Sequence, residues 1–145
     1  MSDRPEGVGG WPERLPGGAF RIARSSANHD QAVRFYRDLV GLPVVGTFGG
    51  SYEEDGTIFG PPDTSVQLEI VRSTEPLRGV DRIDMLVFYL SDAAAQDRLV
   101  TRMADANVPT ASHHPYWDAN GGVTYDDPDG REVVFASWVY GRDRT

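Results

Sequence analysis

Few side chains in this sequence can do proton or metal chemistry near neutral pH. The histidines are His29, His113 and His114, and imidazole is the side chain that ordinarily titrates there. His113 and His114 are adjacent. Neighbours in extended chain point opposite ways, so they make a poor chelating pair. A solvated loop is the favoured reading, and the alternative sets one of them at a cavity mouth as an acid or base. His29 falls in the first turn of a helix and is expected to be exposed. There is no cysteine and no lysine; all 14 basic residues are arginine. Thiol catalysis, thiolate metal sites, Schiff-base chemistry and a phosphate-binding P-loop are therefore excluded by residue type. No G-x-S-x-G or G-x-G-x-x-G occurs, so hydrolase and dinucleotide readings lack their mechanism. Tyr116-Trp117, between Pro115 and Gly121-Gly122, either lines a pocket or packs against the domain edge. Trp138 reads as a core or dimer contact. Two acidic clusters, Glu53-Glu54-Asp55 and Asp126-Asp127 with Asp129, read as solvated turns. The sharper alternative is an electrostatic lure for a cation. A calcium loop is disfavoured because its twelve-residue ligand spacing is missing.

These residues need a scaffold, and the chain carries signs of a duplicated one. Gly56-Thr57-Ile58-Phe59 aligns on Gly122-Val123-Thr124-Tyr125, Pro62-Asp63 on Pro128-Asp129, and Val66–Val71 on Glu132–Ser137 without a gap. A repeat of this kind predicts two copies of one small β-rich unit. Half-units that cannot bury their apolar faces alone pack together, and a cleft forms where they meet. With 145 residues, the chain has enough core for one domain without a disulfide or metal staple. Its net charge of −8 repels a phosphate polymer, so no nucleic-acid partner is expected. No apolar run approaches a membrane span, no signal peptide is legible, and cytoplasmic residence is the expectation.

The elements follow from local patterns. Residues 1–18 are rich in Gly and Pro and read as an N-terminal leader, with Trp11 as an anchor or the whole as a tail. The first module spans 19–72. It opens with a strand over 19–26. Asn28 and Gln31 then form a variant capping box, and Ala32, Phe35, Tyr36 and Leu39 recur at helical spacing until Gly41. Strands are predicted at 43–48, 56–60 and 64–72, the last by clear alternation. A linker covers 73–81. The second module, 82–145, repeats the order: a buried strand over 83–90, a helix over 92–106, and strands over 122–127 and 131–140 around the Pro128-Asp129-Gly130 turn. The fold class is therefore α+β, two βαβββ modules forming a curved mixed sheet around a cleft.

This order resembles the vicinal oxygen chelate superfamily of glyoxalases, bleomycin-resistance proteins, extradiol dioxygenases and fosfomycin-resistance enzymes. Phe35-Tyr36-Arg37-Asp38-Leu39-Val40-Gly41-Leu42 is similar to that family's first-helix ending. Gln67-Leu68-Glu69 is similar to its fourth strand, and Asp127-Pro128-Asp129-Gly130 to the turn before its last strand. The likeness covers about 19–140 as one domain. Metal-dependent members take up to four His, Glu or Gln ligands from the first and last strands of each unit. Those positions fall here on Arg21, Met85, Val134 and either Glu69, by motif, or Leu68, by the internal repeat. The two registers differ by one residue and so by one sheet face. Arginine cannot serve as a ligand, valine has no donor, and methionine suits soft metals only. The resemblance therefore implies a dismantled metal site, with no cofactor.

The expectation that follows is a metal-free protein binding a small molecule, as drug-sequestering members of the family do. Arg21, Glu69, Met85, Tyr116, Trp117 and Val134 would be the ligand-binding residues. The rival is an enzyme: a lyase, isomerase or dioxygenase with a displaced metal site using His29, His113 or His114, or a metal-free catalyst with Glu69 as base. A blander alternative is a dimerisation module whose cleft its own side chains fill. The resemblance also implies a homodimer, and the sequence leaves open whether the modules pair within one chain or across two.

Overall fold

The alternation in Val66–Arg72 makes β4, a central strand. Leu68 and Ile70 on one face enter the core, while Gln67, Glu69 and Val71 take the other. A computed structural model describes residues 19–51, 54–61, 64–75, 77, 79–81, 83–112 and 114–140. The leader 1–18 with Trp11, Glu53, the Pro62-Asp63 pair and His113 lie outside the described residues. In the first unit, β1 (Phe20–Ser26) pairs parallel with β4. The hairpin of β2 (Val44–Ser51) and β3 (Glu54–Phe59) extends the sheet to the order β1-β4-β3-β2. In the second, β5 (Met85–Tyr89) pairs parallel with β7 (Glu132–Ala136), and β6 (Val123–Asp126) completes the order β5-β7-β6. A parallel pair needs a crossover connection, and each unit supplies one through a helix, α1 (His29–Arg34) and α2 (Ala93–Asp105). The result is two mixed sheets of βαβββ type. The second unit keeps its fourth strand position only as an isolated bridge, Ala111 to Thr124.

The helices deviate from the sequence reading in informative ways. Asn28 makes no side-chain cap to α1; its Nδ2 donates to the Pro128 carbonyl at 3.2 Å instead. The capping box is thus absent because the side chain is used across the units. From Phe35 to Val40 the helix widens to i→i+5 bonding. It stops at Gly41, whose φ of 88° is left-handed and favours glycine. In the second unit Asp92 does cap, accepting from the Ala95 N–H at 2.8 Å.

The helix-side faces of both sheets belong to one core. Tyr36 and Phe59 pack there with Leu99, Met103, Val133 and Phe135. The units are also stitched by polar contacts. The Tyr36 hydroxyl donates to Asp127 Oδ2 at 2.6 Å. Asp129 accepts from the Ser26 hydroxyl at 2.6 Å and the Ala27 N–H at 3.0 Å, and Arg131 Nη1 donates to the Ser25 carbonyl at 2.7 Å. Asp127 and Asp129 are therefore not the solvated turn expected from the charge run; they hold the seam.

Ladder registers correct the repeat by one residue. Ile58 stands opposite Glu69, whereas the aligned Thr124 stands opposite Val134, not Phe135. The connection into the last strand is one residue shorter in unit two. Glu69 thus corresponds to Val134, and Leu68 to Val133. Among the described residues no helix is long and apolar enough to cross a membrane.

Candidate functional site

Each sheet has a second face, turned away from the shared core. Parallel pairing sets Arg21 beside Gln67, and Ala23 beside Glu69. Arg21 Nη1 donates to Glu69 Oε1 at 3.2 Å, while its Nε and Nη2 both donate to Gln67 Oε1, at 3.1 and 3.0 Å. The Arg21 side chain is 47% exposed and that of Glu69 16%. This is a polar clamp with its charges paired internally. In the sequence Gln67 stands out only within the Gln67-Leu68-Glu69 motif and not as a binding residue, although its place two residues before Glu69 puts both on one strand face.

The remaining predicted residues gather on the other sheet. Met85 packs with Val87, Val134, Ala136, Trp117 and Trp138 in a second apolar cluster, which Tyr116 also joins. Trp117 and Trp138 stack with centroids 5.9 Å apart and planes 24° from parallel. Tyr116 meets both edge-on, and Trp138 Nε1 donates to the Asn120 carbonyl at 2.9 Å. Tyr116 and Trp117 sit not in a loop but on a short helix, α3 (Pro115–Ala119), with Pro at its start and His114 capping the Tyr116 N–H at 3.1 Å. Val134 is fully buried under this aromatic layer. The cluster draws every member from unit two, so the structure gathers the predicted residues into two sets, one per sheet.

The histidines lie elsewhere. His29 is buried, not exposed. Its Nε2 lies 3.4 Å from Thr57 Oγ1, and Arg72 Nη2 lies 3.2 Å from its Nδ1. Thr57 is on the core side of β3, opposite Ile70, so His29 faces away from Glu69 and cannot join it. His114 is engaged as the cap of α3.

A metal fits this arrangement poorly. Of the four family positions, Arg21 is cationic, Met85 and Val134 are apolar, and the carboxylate of Glu69 already accepts from a guanidinium. Among the described residues no three His, Asp or Glu side chains converge on a point. A shallow depression along α2, lined by Asp97, Arg98, Thr101 and Arg102, belongs to a solvated helix face.

Comparisons with known proteins bear on the fold and the family. The YycE-like N-terminal domain model matches residues 20–71 and the YycE-like C-terminal domain model residues 84–137. YycE of Bacillus subtilis (strain 168) is 35% identical over 121 residues, covering 80% of this chain and 85% of that protein. The crystal structure of a Bacillus subtilis YycE protein of unknown function superposes with a TM-score of 0.74 at 31% identity, covering 87% of this chain and 95% of that one. A lactoylglutathione lyase from Agrobacterium tumefaciens gives 0.62 at 24% identity, with coverage of 88% and 98%. An antibiotic-binding protein from a Streptomyces species gives 0.61 at 16% identity, with coverage of 81% and 93%. The last two likenesses speak for the fold alone.

Proposed function

Because the chain belongs to the YycE-like family, on the fold that glyoxalase and fosfomycin-resistance proteins share, we propose that it binds a small organic molecule without a metal ion, on the face that carries Arg21, Gln67 and Glu69. The observation that carries this reading is the Arg21–Glu69 pair itself, at 3.2 Å. The one carboxylate that a cation would need is held by a guanidinium. Turning that carboxylate to a metal would break the pair and set the metal's charge beside the Arg21 guanidinium. The Streptomyces antibiotic-binding protein, similar in fold, is a precedent for sequestration on this fold, as the Agrobacterium lyase is for turnover.

The proposal includes a homodimer in which the aromatic wall of one copy, with Tyr116, Trp117 and Met85, covers the clamp face of the other. Support comes from the separation of the two residue sets, one on each sheet. The modules are read as residues 19–72 and 82–145, joined by the linker 73–81.

Native mass spectrometry of freshly purified protein tests this directly. The expected result is a dimer mass with no tightly held divalent ion, and with a co-purified organic mass where the occupant is retained. Thermal stability should be unchanged by a chelator. One divalent ion per chain would sink the reading. Turnover found on a substrate panel and lost in Glu69→Gln would replace it with the enzyme, Glu69 as base.

A further inference from the structure

The clamp face of the first unit also carries an aromatic platform. Phe48 on β2 stands opposite Gly56 on β3. A methyl group added at Gly56 would fall 2.3 Å from Phe48 Cζ and 2.6 Å from its Cε1. The ring therefore rests against bare backbone, an approach that only glycine permits. Gly56 stands opposite Val71, and Ile58 opposite Glu69. Alternation puts Val71 on the same face as Gln67 and Glu69, so ring, valine and isoleucine make one apolar strip that ends at the clamp. With strands about 4.8 Å apart and residues about 3.4 Å along a strand, Gly56 lies roughly 8 Å from Glu69.

The clamp is electrically closed. Arg21 uses Nη1 on Glu69 and both Nε and Nη2 on Gln67 Oε1. Among the described residues, the Gln67 amide N–H groups and Glu69 Oε2 have no further side-chain partner. They offer amide donors and a carboxylate acceptor on one face of β4. An anionic head would meet the Glu69 carboxylate, and a cationic head would meet Arg21; either must break the pair to gain from it.

We infer, granting the small-molecule binding proposed above, that the occupant is an uncharged planar aromatic compound. Its flat body covers Phe48, Val71 and Ile58, and its head offers a hydrogen-bond acceptor to Gln67 and a donor to Glu69. A head of adjacent hydroxyl and carbonyl groups has this chemistry.

Titration of the full chain with three naphthalenes of one shape tests the inference: neutral 3-hydroxy-2-naphthamide, anionic 3-hydroxy-2-naphthoate and cationic 3-hydroxy-2-naphthamidine. The amide should bind tightest, by about fivefold or more, which corresponds to about 1 kcal/mol. Glu69→Ala frees Arg21 and should invert the order, with the naphthoate ahead of the amide. Phe48→Leu should weaken all three about fivefold and keep their order, with thermal melts verifying that each variant is folded. A wild-type preference for the naphthoate or the amidine overturns the uncharged class and leaves metal-free binding standing. An unchanged order in folded Glu69→Ala does the same. Binding of none of the three by a metal-free chain sinks this inference alone, and the same result with a retained divalent ion sinks the parent reading too.

Discussion

Tyr36 and Asp127 show what one buried pair can impose. Burial pushes the Tyr36 hydroxyl well above its usual pKa, and the neighbouring Asp127 charge adds to this. Burial also raises Asp127, against the pull of the Tyr36 hydroxyl and of the Arg131 and Asp129 N–H groups. A carboxylate with a raised folded pKa binds its proton more tightly folded than unfolded. Its share of stability is intact below the ordinary carboxylate pKa of about 3.9 and erodes as pH rises through the folded value. Tyr36→Phe removes the donor at 2.6 Å and should cost about 1–3 kcal/mol at pH 7. Without that donor Asp127 rises further, so the deficit should be larger at pH 7 than near pH 4. Urea denaturation at both values measures it; equal deficits would mean that Asp127 ionisation takes no part. Asp127→Asn keeps the acceptor for both backbone N–H groups and should flatten the pH dependence. None of this was legible at the residue scale. Asp127 and Asp129 look like any acidic run until Ser26–Asn28, about a hundred residues earlier, folds over them.

Elements were more legible than their partners. The helix of unit one was expected to stop at Gly41, and it does, with φ of 88°. Gly41→Ala should cost about 1–2 kcal/mol from backbone strain alone, since the added methyl would meet only Arg102 Nη2 at 3.9 Å. Asp92→Ala should cost about 1 kcal/mol through the lost cap of α2. Chemical denaturation of both variants checks these values, and a Gly41→Ala protein as stable as the parent would place the strain elsewhere. The alternation of residues 64–72 predicts a strand, and β4 (Val66–Arg72) begins two residues later and ends where expected, because one face is apolar and the other is not. Short α3 escaped notice: five residues hold no helical period, and only Pro115 at its start was a signal. The one-residue slip between the repeats also escaped, since similar residues on both sides of the shift let an ungapped alignment look right. Asn28 was misread because a capping side chain and an inter-unit donor have the same sequence signature.

At the scale of the molecule, the paired architecture follows from the duplication and the single shared core. The pairing of the open faces does not, because the residues of each face are spread over separate strands and the sequence carries no mark of which face covers which. Mixing two crippled proteins distinguishes the arrangements. If clefts form across a dimer, Glu69→Ala and Tyr116→Ala chains, denatured together and refolded, should regain about one site in four that binds the neutral naphthamide as the parent does, as random pairing of two subunit types requires. If each chain closes its own cleft, the mixture regains none. Light scattering before and after refolding verifies that dimers are present.

The two halves are unlike in ways that matter for any guest between them. One wall is a polar clamp beside a single phenyl ring. The other is a slab of indoles and a phenol, with a strand position reduced to one bridge and a ladder slipped by a residue. A guest held between these faces, as proposed above, would meet no internal dyad. In the proposed site a guest could not be turned end for end without trading hydrogen bonds for ring contact, so an unsymmetrical guest would be held in one orientation. Nuclear Overhauser contacts from an unsymmetrical bound guest should report a single orientation.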